Sequence, residues 1–427
     1  MMPRRARIIF VVVANSIISP FAGFMCADSA FKYVGVRNLR AAQSEVRAAG
    51  FDIDAAPAKT LPGPDDAPYW YLKAADFHTN GHAPASALDA HFVGNFFRNA
   101  SRGRIAPSDV ARVRHAVESE RTALDFLRAG AARKDSDWGI DWNARDLWEP
   151  SNPNEMRLKR VFQLGFVLAG RAVLESQQGR QRDAVETIQA GLALARSLSE
   201  HGPSLEVTRG ESLDDATLAA AVFVLLRAPP RLAQDRWSPF LHPEELPADL
   251  KRALGYQFAD SLAFMQRQND PFADLEAASM LRGELELFRT FDLPYKDSRA
   301  AWDAAMERVH RQAWFFADLM IPEYLSHDKV ELDACVASMR IAQTAFAAEH
   351  LKKRTGRWPG AAGELRDEPT REFEALEDPF LKTGKQGDSR LLKIIRYGKG
   401  ILIYSVGPSG RDERGDPRDN IGWVLGV

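Results

Sequence analysis

The stretch Arg396–Val427, RYGKGILIYSVGPSGRDERGDPRDNIGWVLGV, decides how the fold of this chain is read. The run from Gly400 to Val406 is β-branched and apolar enough for a buried strand, and Ile421–Val427 forms a second such run. Between them lies a loop dense in glycine and acidic residues, a composition that can wrap a cation. Upstream, RLLKIIRYG (390–398) reads as a further strand, joined to the first by the turn at Gly398-Lys399-Gly400.

Ahead of these strands, VELDACVASMRIAQTAFAAEHLKKRTG (330–356) repeats apolar residues at Leu332, Val336, Met339, Phe346 and Ala347. Gly356 suits the C-cap, and Lys352, Lys353 and Arg354 suit the negative end of the helix dipole. A helix laid across a small antiparallel sheet is the economical packing for this order.

The rest of the chain reads as helices. Ser108 is placed to cap DVARVRHAVESERTALDFLRAGA, whose apolar face is Val110, Val113, Val117, Leu124 and Leu127. Glu155–Ser199 is a helical hairpin broken near Gly179, with the small and apolar positions of a tetratricopeptide-type helix pair but no second copy at a fixed period. Further helices are expected over Glu211–Arg227, Pro247–Gln268, Asp274–Phe291 and Ser298–Leu319, separated by proline-bearing breaks. The expected fold class is therefore mainly α. It comprises an apolar anchor (residues 1–30), a linker and strap with short helices (31–107), a helical body (108–325) and an α+β module (326–427).

Composition narrows the function. The 427 residues, 45 % apolar and 27 % charged, can bury a sizeable core. A net charge of -2 leaves no basic field, which argues against nucleic acid as a partner. The two cysteines, Cys26 and Cys335, are too far apart in sequence to suggest a disulfide framework, and read as small buried hydrophobes. Arg4, Arg5 and Arg7 precede Ile8–Ala27, a charge-free apolar run of about twenty residues, close to a bilayer span. This predicts export or a membrane anchor, with the body on the periplasmic or outer side of a bacterial cell envelope.

Catalytic signals are sparse. There is no H-E-x-x-H, no glycine-rich phosphate loop and no G-x-S-x-G. The segment DSDWGIDWNARDLWEP (135–150) sets Trp138, Trp142 and Trp148 among Asp135, Asp137, Asp141 and Asp146, a composition that suits sugar stacking as well as the fastening of a loop across a bundle. Asp214-Asp215 and Asp270 with Asp274 have the generic spacing of helix starts and of magnesium-binding pairs alike.

The sequence also carries a family resemblance. The alanine-rich helix, then KKRTGRWP, DPF, IRYGKGILIYSVGPSGRDERGD and DNIGW, in that order, resemble the C-terminal part of the major pseudopilin of type II secretion systems. They look even more like a group of uncharacterised envelope proteins, common in planctomycetes and related bacteria, that pair a helical body with such an end. The resemblance covers about Ala334 to Val427 well and the body only loosely, through YWYLKAADF, DWGIDW and the hairpin. In pseudopilins this loop binds calcium through side-chain and backbone oxygens. Carried over, Ser405 and Val406 match the start of the loop, while Ser409 and Asn420 fall where aspartates are usual. Asp412, Asp416 and Asp419 add carboxylates within reach. The resemblance thus implies calcium on these seven residues, against a loop closed by its own hydrogen bonds and by arginine pairing.

Because the apolar run Ile8–Ala27 is not continuous with the pseudopilin-like helix, the resemblance implies a shared module rather than a pilin subunit. Two functions follow as expectations. One is a non-enzymatic envelope scaffold or interaction protein, tied to the membrane by its N-terminal segment and to a protein partner by its body. The other is a hydrolase of an envelope polymer or glycan, using Asp137, Asp141, Glu149 or Glu155 beside the indole rings.

Overall fold

The computed structural model describes residues 32–53, 61–79, 90–102, 104–135, 137–140, 152–201, 204–225, 227, 230–267, 272–312, 325–366, 376–381, 390–416 and 420–426. The apolar run Ile8–Ala27 lies outside the described residues. Among the described residues, no helix is long and apolar enough to cross a membrane. The chain is mainly helical, with one small antiparallel sheet near its end.

In chain order the helices are α1 (32–48), α2 (Ala67–Thr79), α3 (Ala90–Ala100), α4 (Pro107–Ser119), α5 (Arg121–Ala131), α6 (Pro153–Gln177) and α7 (Gln181–His201). They continue as α8 (Ser204–Leu225), α9 (Pro230–Trp237), α10 (Leu246–Arg267), α11 (Ala273–Phe288), α12 (Tyr295–Gln312) and α13 (Leu325–Thr355). Three strands follow: β1 (Lys393–Tyr397), β2 (Gly400–Ser405) and β3 (Ile421–Leu425). Two compact units result, each assembled from segments distant in sequence.

The smaller unit takes its described residues from Met1–Ala55, Phe258–Arg289 and Asp303–Pro322. On α1, Leu39, Ala42 and Val46 recur at helical spacing and are buried. The rings of Phe51, Phe258 and Phe288 close this core, with centroids 5.1, 6.1 and 5.0 Å apart. Inside it the Ser261 hydroxyl donates to Glu284 Oε1 at 2.7 Å, and at its surface Arg282 pairs with Glu45 at 3.0 Å.

The larger unit holds α2 to α9, the first part of α10, residues 290–302, α13 and the sheet. Proline at the first position starts α6, and the Asn152 side chain caps it by accepting from the Asn154 and Glu155 amides at 2.8 and 3.4 Å. Gly179, at φ +78, ends the turn that folds α7 back onto α6. Next, α8 is packed by α3, α6, α7, α13 and β3, so its C-terminal half, from Ala216, is apolar nearly all round. Glycines set how closely its neighbours approach: a Cβ on Gly165 would stand 2.6 Å from Leu213, and one on Gly191 would stand 2.8 Å from Thr217.

A second layer covers α6. Ala67, Tyr71, Ala74 and Ala75 of α2 pack with Leu124 and Leu127 of α5 in one core cluster. Trp138 joins it, its ring 5.7 Å from that of Tyr71 and its Nε1 donating to the Ser197 carbonyl at 3.2 Å.

The helix expected to run on from Ser108 is in fact two helices. Ala106 takes the N-cap position, Pro107 the first turn, and the chain breaks at Glu120 with φ -101 and ψ 12. The break lets α4 pack on α6 while α5 packs on α2 and α7, a division one straight helix cannot serve. The helix expected from Glu211 begins earlier, at Ser204, because Gly210 is a close-contact position against Ala195 and Ser199 rather than a breaker.

The sheet has the order β1-β2-β3, antiparallel throughout. Tyr397 pairs with Gly400, leaving Gly398 and Lys399 as a two-residue turn with Gly398 at φ +57. Every residue of β2 is buried, because α13 covers one side while Leu402 and Tyr404 pack with Val424, Ile395 and Tyr397. Helix on sheet is thus the observed packing of the C-terminal module.

Close packing in the second layer makes a test. A Cβ on Gly130 would lie 2.6 Å from Tyr71 Cε1 and 3.1 Å from the Ala67 carbonyl oxygen, against a ring that is itself buried. Gly130→Ala should therefore lower stability by about 1–3 kcal/mol despite alanine's better helix propensity. Urea unfolding of parent and variant measures it.

Candidate functional site

Two structures converge at the C-terminal end of the larger unit, the loop between β2 and β3 and a cavity behind it. The loop is tied at two nodes. At the first, the buried Asp378 accepts from the Phe380 amide at 3.0 Å and from Ser405 Oγ and the Val406 amide at 2.8 Å each. At the second, Asn420 Nδ2 donates to the Val406 and Arg411 carbonyls at 2.9 and 3.2 Å, while its Oδ1 accepts from the Gly415 amide at 2.9 Å.

The residues expected to hold calcium are accordingly placed as follows. Ser405, Val406 and Asn420 are buried in these two nodes. Ser409 Oγ accepts from the Arg411 amide, and Asp412 Oδ1 accepts from Tyr404 Oη at 2.7 Å and from the Arg414 amide at 3.0 Å. Asp416 offers its carbonyl to the Asn420 amide at 2.8 Å, and Asp419 lies outside the described residues. Among the described residues no group of three or more His, Cys, Asp or Glu side chains is arranged to hold a metal. At Asn420, where the pseudopilin pattern has a carboxylate, an amide nitrogen meets two carbonyls that a cation would otherwise attract.

Behind the loop is a cavity of about 630 Å³, a size typical of small-molecule sites. Its apolar wall comes from Val93 and Phe97 of α3, Phe162 and Phe166 of α6, and Ile421 and Trp423 of β3. Its polar groups are Arg98, Arg102, Ser212, Asp215, Glu331 and Ser338. Helix α3 contributes because Phe92 and Phe96 anchor its other faces, stacked at 5.7 Å. Its Gly94 leaves an opening, since a Cβ there would meet nothing within 4 Å.

Asp214 and Asp215 sit in the middle of α8 and diverge. Asp214 is 3 % exposed, and burial, then the neighbouring Asp215 carboxylate, hold its acid well above the ordinary range, with Arg196 opposing. Asp215 is deep in the unit yet open at its surface, because it faces the cavity. Burial raises it too, offset by the Ser338 hydroxyl, which donates to Oδ1 at 2.6 Å, and by Arg98. Burial pushes the Arg102 guanidinium down, and its Nε and Nη2 have no acceptor, though Tyr397 and Asp416 attract it.

The tryptophan-rich segment is placed elsewhere. Trp138 is 1 % exposed, the Asp137 carboxylate accepts from the Gly139 amide at 2.7 Å, and Asp135 accepts from Ser197 Oγ at 2.6 Å. Glu155 pairs with Arg209 at 2.7 Å. Trp142, Trp148, Asp141, Asp146 and Glu149 lie outside the described residues.

Sequence reading had singled out Asp214-Asp215 without a direction for either, and passed over α3 as part of the linker. The phenylalanines at 92, 96 and 97 beside Arg98 and Arg102 were the available signal. His78 and His82 do have the H-x-x-x-H spacing, against the expectation that no histidine pair has it, and His82 lies outside the described residues. No protein-family model, no curated protein and no solved structure matches this chain.

Two predictions follow from these geometries. Asn420→Ala strands the buried Val406 carbonyl and Gly415 amide and should cost about 2–4 kcal/mol. The parent's melting midpoint should not move between chelator and millimolar calcium, since the loop oxygens already meet donors of the chain. Differential scanning calorimetry reads both. For Asp214, the folded chain keeps a proton that the unfolded chain releases above the ordinary carboxylate range, so its contribution to stability falls as pH rises through that window. Asp214→Asn should therefore melt higher than the parent at neutral pH, with the two converging near about pH 4.

Proposed function

We propose that this chain is a non-enzymatic binding protein of the bacterial envelope, an interaction scaffold whose helical bundle and C-terminal sheet enclose a site for a small amphiphilic molecule. The cavity carries the reading. It has one apolar wall and a few convergent polar groups, the composition of binding sites generally. The residues a glycan hydrolase would draw on are engaged otherwise where they are described: Trp138 in the core, Asp137 in a turn and Glu155 in an ion pair. Envelope placement rests on the basic, apolar N-terminal segment and on the likeness of the tail to pseudopilins.

The neutral dye phenylnaphthylamine tests the cavity. It should bind saturably at one site and brighten as it leaves water. Gly94→Ala should bind it as the parent does and gain about 0.5–1 kcal/mol of stability from the helix interior, while Gly94→Trp, filling the opening, should weaken binding at least about tenfold without lowering the melting midpoint. Unchanged dye binding in Gly94→Trp overturns the reading.

A further inference from the structure

The polar groups of the cavity are arranged by sign. Asp215, Glu331 and Ser338 stand on α8 and α13, whereas Arg98 and Arg102 stand on and just beyond α3. Asp215 spends one oxygen on the Ser338 hydroxyl, and among the described residues no other hydrogen bond or ion pair reaches it. Arg98 makes one long bond, to Asn95 Oδ1 at 3.4 Å. The two charges attract one another, and Arg98 stabilises the Asp215 carboxylate, yet no ion pair joins them. Two opposite charges lining one cavity, neither in an ion pair among the described residues, form an open pair.

A lone cation at Asp215 would be opposed by Arg98, and a lone anion at Arg98 would be opposed by Asp215. A molecule carrying both charges on neighbouring atoms satisfies both at once. Beside them, Phe97, Phe162 and Phe166 offer aromatic faces to an apolar group. Resting on the binding reading above, we infer that the cavity takes a small zwitterion of the α-amino-acid type with an apolar side chain. Its ammonium sits at the free oxygen of Asp215, its carboxylate at Arg98 and its side chain against the phenylalanines. Arg102 reinforces the anionic end, since its buried guanidinium edge has no acceptor of its own.

Calorimetric titration of the full chain with L-phenylalanine, N-acetyl-L-phenylalanine and phenethylamine separates the charges, as the second probe lacks the ammonium and the third the carboxylate. L-phenylalanine should bind, and each blocked analogue should bind at least about tenfold more weakly. Asp215→Asn, which still accepts from Ser338, should abolish the preference over the acetylated probe. Arg98→Gln, at an exposed and structurally undemanding position, should abolish the preference over phenethylamine. Either analogue binding as well as L-phenylalanine, or both variants retaining the parent's selectivity, overturns the inference. Dye binding with no response to L-phenylalanine overturns the charge assignment and leaves the cavity reading standing. Absence of both responses removes both.

Discussion

The burial of the C-terminal half of α8 is the constraint on which the larger unit depends. Past Asp215, where α3, α6, α7, α13 and β3 surround it, α8 leaves little solvent face on which to place a polar residue. Its sequence from Ala216 to Leu225 is accordingly alanine, leucine, valine and phenylalanine, broken only by Thr217. Each neighbour must also come close, and Gly165 and Gly191 on the flanking helices give the required room. Against that background two adjacent carboxylates in the same helix are costly. Asp214 meets the cost by a raised pKa that favours its neutral acid, and Asp215 by facing a cavity and holding Ser338.

The same helix links the bundle to the C-terminal module. α13 lies between α8 and the sheet, and β3 itself touches α8, so the loop ahead of β3 must be fixed for the cavity to have a wall. Asp378 and Asn420 fix it. One gathers three donors from Phe380, Ser405 and Val406, and the other satisfies two carbonyls and an amide across the loop. Arg414, at φ 53, is held in a left-handed turn by the same closure, its amide on Asp412. Rigidity in the loop thus comes from neutral and singly charged hydrogen bonds within the chain.

How much of this was legible in the sequence differs by element. The strands, the hairpin at Gly398, the long helix ending at Gly356 and the turn at Gly179 were all readable, because their periodicity and their glycines are local signals. The break at Glu120 was not, since the apolar pattern of Val113, Val117, Leu124 and Leu127 continues across it and only the packing of α4 and α5 on different partners ends the helix. The loop residues were picked out for their oxygens. Whether an oxygen faces a cation or an amide depends on how the loop closes, and the amide at Asn420 faces carbonyls.

The cavity was the least legible feature, for a physical reason. Its lining comes from five elements spread from Val93 to Trp423, and no window of sequence holds more than a fraction of it. Asp214 and Asp215 are identical in type and adjacent in sequence, yet the turn of about 100° between successive helical residues sends one into packed protein and the other into open space. That angle, together with the space left opposite Gly94, makes Asp214 a buried acid and leaves Asp215 a group with a free oxygen. The chemistry of the pair is therefore a property of the packing around α8, and a change that closed the cavity would turn Asp215 into a second Asp214.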